Sequence, residues 1–124
     1  MTATPRSIEI TQIAAAAADS KQAADLVALD VTGPLPLTDI FLMASGRNEP
    51  NVRAIAEEII EKVEEFGAPL LRREGLSEGR WVLLDFGDVI VHVFHDEDRM
   101  FYSLERLWKD CPVVPLSISV DQAH

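Results

Sequence analysis

The chain has 124 residues, 48% hydrophobic and 26% charged, which suits one compact domain with a real core and argues against wholesale disorder. Eleven Lys and Arg against 21 Asp and Glu leave a net charge of −10. That balance excludes broad binding to nucleic-acid phosphates, direct DNA binding included, and favours a basic partner.

In chain order, residues 1–6 and 117–124 read as flexible tails around a single domain over 7–116. Ile8, Ile10, Ile13 and the run Ala14 to Ala18 predict a first helix ending near Ala24, because alanine has the best helix propensity. Asp25 to Val31 and Thr38 to Ser45 read as strands, divided by Gly33, Pro34 and Pro36, which suit a turn and not a central strand. After Pro50 comes the clearest amphipathic helix. Val52, Ile55, Ala56, Ile59, Ile60, Val63 and Phe66 share one face, and Gly67 stops it. Glu57, Glu58, Glu61, Glu64 and Glu65 line the other face, either as a solvated surface or as an acidic docking face. A short strand near Leu70 to Arg73 and a turn over Gly75 to Gly79 precede a hairpin with arms Trp81 to Phe86 and Asp88 to Phe94. A last helix runs from about Asp96 to Trp108, with acidic residues in its first turn. The element order is that of an α/β domain with a mixed sheet. No apolar run approaches the roughly 20 residues that span a bilayer. Met1 to Ser7 lacks the layout of a signal peptide, so a cytoplasmic location and no membrane contact are expected.

The hairpin is the most informative segment. With Phe86-Gly87 as a two-residue connection, Asp85 faces Asp88, Leu83 faces Ile90, and Trp81 faces His92. Alternation then puts Val82, Leu84, Val89, Val91 and Val93 on an apolar core face. Trp81, Leu83, Asp85, Asp88, Ile90, His92 and Phe94 share the opposite face, apolar in the middle and charged at the rim. Such a face is either covered by another element of the chain or left open for a partner.

Signals for catalysis are weak. Asp85-Phe86-Gly87 spells a kinase triplet without the glycine-rich loop, strand lysine and catalytic loop that give it meaning. Asp85 and Asp88 as metal holders would make a nucleotidyl or phosphoryl transferase, the alternative to a binding role. Such an enzyme pairs a Gly-Ser turn with two close aspartates after it, whereas Ser45-Gly46 here leads into Arg47-Asn48-Glu49. His92 and His95 fall on opposite strand faces, and His92 reads as a partly buried, hydrogen-bonded ring. Ser45, Ser77 and Ser103 lack a nucleophile-elbow context. Cys111, the single cysteine, permits neither an internal disulfide nor a cysteine-rich zinc site and reads as a small apolar filler. No enzyme, cofactor or metal site is expected.

Several blocks together resemble the ribosomal silencing factors, or Iojap-like proteins. They are Asp25 to Asp30, Thr38-Asp39, Met43-Ala44-Ser45-Gly46, Val52 to Ile60 and Glu74-Gly75. The strongest are Trp81 to Asp85, Gly87 to Phe94, and Arg99 to Tyr102 with Leu104-Glu105 and Leu107-Trp108. The likeness spans roughly residues 8–116, and it departs at Arg47 to Asn51, where the family has a Ser/Thr-rich stretch with an Arg-Gln or Arg-His pair. The resemblance implies a mixed-sheet α/β domain with helices mainly on one face, nucleotidyltransferase-like but without the catalytic carboxylates. It also implies a homodimer that binds the large ribosomal subunit through its fourteenth protein and sterically blocks joining of the small subunit. By the same resemblance, translation is expected to fall when nutrients are scarce and late large-subunit assembly to be aided. On this basis Trp81, Asp85, Asp88, His92, Tyr102 and Glu105 are the expected partner contacts.

Overall fold

The computed structural model describes residues 2–102 and 108–118, the side chains of 100–102 excepted. The elements run α1 (Pro5–Ser20), β1 (Ala24–Asp30), β2 (Ile40–Gly46), α2 (Glu49–Phe66), β3 (Arg72–Glu74), β4 (Trp81–Asp85), β5 (Val89–His95) and α3 (Asp96–Tyr102). The strands form one mixed α/β sheet in the order β1-β2-β5-β4-β3, parallel between β2 and β5 and antiparallel elsewhere. β2 is buried along its whole length, which is why it reads as the unbroken apolar run Ile40 to Ala44.

The two sheet faces differ. Ile40, Leu42, Ala44, Val82, Leu84, Val89, Val91 and Val93 are fully buried beneath α1 and α2. α2 adds Val52, Ile55, Ala56, Ile59 and Val63, and α1 adds Ile10 and four small alanines, Ala14, Ala15, Ala17 and Ala18. Each large aliphatic chain withdrawn from water contributes about 1.5–3 kcal/mol, so this layer dominates the stability. On the other face Leu29, Val31, Phe41, Met43 and Phe94 make a second cluster, joined by half-buried Trp81, Ile90, Trp108 and Cys111. Among the described residues no helix is long and apolar enough to cross a membrane.

The chain ends are engaged more than their composition suggests. α1 starts at Pro5, inside the stretch read as a tail, with Thr4 as its cap accepting from Ser7 N at 3.1 Å. Ala3 N donates to Asp30 Oδ2 at 2.9 Å, while Thr4 N and Ser7 Oγ both donate to Asp39 Oδ2. Burial opposes ionisation of Asp30, but the hydrogen bonds from Thr32 and Ala3 outweigh it and hold the carboxyl below its usual range. α1 stops at Ser20, short of Ala24, because Gln22 takes a positive φ and Ala24 already pairs with Ser45 in the sheet. Far along the chain, Asp30 N donates to Pro112 O and Val114 N to Ala28 O, each at 2.8 Å, so residues 112–114 cover the outer edge of β1. Ser117 N then donates to Gln12 Oε1, and Gln12 Nε2 to Pro115 O.

The hairpin register differs from the sequence expectation by two positions. Trp81 lies opposite Phe94, Leu83 opposite His92, and Asp85 opposite Ile90. Phe86 N donates to Val89 O at 3.0 Å, so the two-residue connection is Gly87-Asp88. The reason is burial. Phe86 is 7% exposed and joins the helix-side core, and Gly87, at φ +90°, supplies the turn. A shift of two preserves alternation, so every strand residue of the arms keeps its expected face. The short strand sits at Arg72–Glu74 instead of Leu70 to Arg73. α3 is described as helix as far as Tyr102, and the rest of the expected last helix, 103–107, lies outside the described residues.

Two glycines separate conformational strain from steric collision. A Cβ at Gly87 would meet only Leu71 Cδ1 at 3.4 Å, whereas one at Gly75, φ +80°, would lie 2.1 Å from the Trp81 carbonyl oxygen. Gly87→Ala is expected to cost about 1 kcal/mol of stability and Gly75→Ala more than about 3 kcal/mol. Urea unfolding of both variants checks this, and equal losses would remove Gly75 as the point where β3 turns against β4.

Candidate functional site

Among the described residues the second sheet face is closed over β2 and over His92 and Phe94 of β5, and half-open along β4 and at Ile90. Phe94 and His92 are 1% and 6% exposed, while Trp81, Leu83, Asp85 and Ile90 are half-buried and Asp88 is exposed. The closure comes from the later chain: the Trp108 ring meets Phe41 edge-on at 5.5 Å. A hollow of about 280 Å³ remains beside Trp81 and Leu83, bounded by Glu74 and Gly75.

Rings run in a ladder across the covered part. Phe41 is edge-on to His92 at 5.2 Å, His92 stacks parallel to Phe94 at 6.1 Å, and Trp81 lies 5.3 Å from Phe94. Inside this ladder Trp81 Nε1 donates to His92 Nδ1 at 3.1 Å. An accepting Nδ1 requires a neutral imidazole with its proton on Nε2. Burial favours the same state, lowering the His92 pKa to about 4. Nε2 itself has no hydrogen-bond partner among the described residues. His92 therefore presents almost no surface to a visitor; its work is to hold the Trp81 indole.

The remaining predicted contacts divide. Asp85 and Asp88 are not opposite one another: Asp85 Oδ1 accepts from Gly87 N at 2.8 Å, and the Asp88 backbone oxygen accepts from Asp39 N and Ile40 N. Asp85 is half-buried and Asp88 exposed, both at the hairpin end of the strip. Among the described residues no cluster of three or more His, Cys, Asp or Glu side chains is placed to hold a metal. Tyr102 ends α3, its side chain outside the described set, and Glu105 lies outside the described residues altogether. At the turn where the family likeness departs, Asn48 caps α2, Arg47 N donates to Asn51 Oδ1, and Asn51 Nδ2 donates to Lys21 O, so its polar groups are used within the fold.

Arg80 escaped the sequence reading, and Arg99 entered it only as part of a family block. Arg80 binds Asp98 through two bonds of 2.8 and 2.9 Å and Glu49 through one of 3.1 Å; Arg99 Nη1 donates to Ser45 Oγ at 2.7 Å. Their partners lie 18 to 54 residues away, and no periodicity reports such pairs; the one available signal was the run of acids, Asp96, Glu97 and Asp98, in want of a counter-charge.

The family profile described as "Ribosomal silencing factor during starvation" matches residues 4–124. Over 113 residues the chain is 46% identical to ribosomal silencing factor RsfS of Bacillus subtilis (strain 168), spanning 91% of this chain and 96% of that protein. A crystal structure from Bacillus halodurans is similar at TM-score 0.77 and 44% identity, covering 87% of this chain and 98% of that one. Protein CV0518 of Chromobacterium violaceum has a crystal structure similar at TM-score 0.80 and 31% identity, with coverages of 90% and 92%.

The buried imidazole makes stability depend on pH. Its folded pKa, about 4, lies below the ordinary 6.5, so between those values the unfolded chain binds the extra proton. The contribution is complete above pH 6.5 and is lost as pH falls, amounting to about 2 kcal/mol between pH 7 and pH 5. Urea unfolding at the two pH values is expected to show this loss in the wild type and to show it much reduced in His92→Gln. An equal pH slope in both proteins would remove His92 as its source.

Proposed function

The chain belongs to the ribosomal silencing factor family, and from that premise we propose that it docks on the large ribosomal subunit through that subunit's fourteenth protein and blocks joining of the small one. Occupied space does the work, with no bond made or broken. Translation is repressed in this way when nutrients are limiting. The chain also self-associates as a homodimer and acts in the cytoplasm.

One observation carries the proposal: the open strip along β4, where a half-buried Trp81 is flanked by Leu83 and Ile90 and rimmed by Asp85 and Asp88. Tryptophan and tyrosine are the side chains that most often carry binding energy, and a ring already fixed by His92 loses little entropy on docking. A chain of net charge −10 is attracted to a basic ribosomal protein and repelled by bare RNA. Trp81 supplies the apolar anchor, Asp85, Asp88 and Glu105 pair with Lys or Arg of the partner, Tyr102 adds a second ring, and His92 holds Trp81 from beneath.

Co-sedimentation with purified large subunits tests the assignment. Trp81→Ala combined with Asp88→Lys is expected to weaken binding by at least about tenfold, one hot-spot contact being worth more than about 1.4 kcal/mol. Binding of the wild type should also weaken as salt is raised. If wild type and double variant sediment alike, the β4 strip is not the docking surface.

A further inference from the structure

We infer that Arg80 is the positioning residue of the docking face, holding the start of β4 and the start of α3 at a fixed angle; this rests on the docking surface proposed above. Arg80 occupies the corner where both elements leave the sheet. Its backbone oxygen accepts from His95 N at 2.8 Å, one step beyond the Trp81–Phe94 pair. The next residue along one strand is Trp81, the proposed anchor, and the next along the other is Asp96, where α3 begins its path to Tyr102.

The side chain then fixes what the backbone has brought together. Nε and Nη2 meet the two Asp98 oxygens at 2.8 and 2.9 Å, the planar two-bond geometry that arginine alone offers. Nη1 reaches Glu49 in the first turn of α2 at 3.1 Å, and Nη2 lies 3.6 Å from Glu97. Asp96, Glu97 and Asp98 are three consecutive carboxylates that suit a helix N-terminus but repel one another, and Glu49 adds a fourth nearby. One guanidinium answers three of these four. From the other side α3 is tied to the end of β2, where Arg99 Nη1 donates to Ser45 Oγ.

Such a clamp adds only modestly to stability, the Arg80 side chain being 38% and that of Asp98 18% exposed. What it supplies is direction. Two bonds to one carboxylate fix a helix axis in a way that apolar contact does not, and an anchor and a helix that must meet one partner together gain from a fixed angle.

The test uses the full-length chain with Arg80→Gln and Arg80→Lys, measuring large-subunit co-sedimentation and urea unfolding on the same preparations. Arg80→Gln is expected to raise the half-saturating concentration by about tenfold, the worth of one misplaced contact, with a fall in the urea midpoint too small to account for it. Arg80→Lys keeps the charge and one ion pair, so it should bind between the other two. The inference is overturned if Arg80→Gln binds like the wild type, if its loss of binding comes with a matching loss of stability, or if Arg80→Lys is no better than Arg80→Gln. Wild-type chain that fails to sediment with large subunits overturns the docking proposal itself, and a Trp81→Ala, Asp88→Lys chain that binds normally overturns the surface assignment.

Discussion

A single hydrogen bond from the Trp81 indole to His92 Nδ1, shut among aromatic rings, sets the character of the exposed strip. The bond exists only while the imidazole is neutral, and burial keeps it so. In exchange, a large ring on a half-open surface is held in one orientation. The arrangement leaves His92 Nε2 buried with no partner among the described residues, a local cost on the order of 1–3 kcal/mol. Local costs of this kind belong where a surface has work to do, and among the described residues no other buried side-chain nitrogen or oxygen lacks a partner.

The sheet gives that strip its backing. Its helix-side face is buried and dominated by aliphatic side chains, which fixes β4 and β5 against the helices. Over the other face the described part of the later chain places Trp108 on Phe41 and residues 112–114 along β1. What remains exposed is narrow, apolar in its middle and acidic at its rim. A patch this small does not drive indiscriminate aggregation, and its apolar middle and acidic rim are the features on which the proposed docking rests. Charge across the molecule as a whole favours the same class of partner.

Much of this was legible without coordinates. α2 was read within two residues because Val52, Ile55, Ile59 and Val63 repeat at the helical period and Pro50 and Gly67 bracket them. The two faces of the hairpin followed from alternation alone. The register did not, because Phe86 beside a glycine looks like part of a turn, and its preference for the core becomes decisive only once α2 lies over the sheet. His92 was read as a partly buried, hydrogen-bonded ring and also assigned to the contact set; the structure buries it and sets it against the Trp81 indole. The N-terminal residues looked like a tail because their anchors, Asp30 and Asp39, lie 27 to 35 residues away. Arg80 was silent for the same reason, since an ion pair across 18 or 31 residues leaves no local trace.

By itself the sequence determined what is encoded in neighbours: the order and type of the elements, the aliphatic core face, the acidic balance and the blocks that mark the family. Periodicity and propensity are properties of segments, so they survive being read one segment at a time. The tertiary structure alone decided which half of the second face stays open, which pairs the hairpin makes, and which distant charges meet at Arg80. Those outcomes depend on competition for burial among segments far apart in the chain, and that competition is settled only when all of them are packed at once.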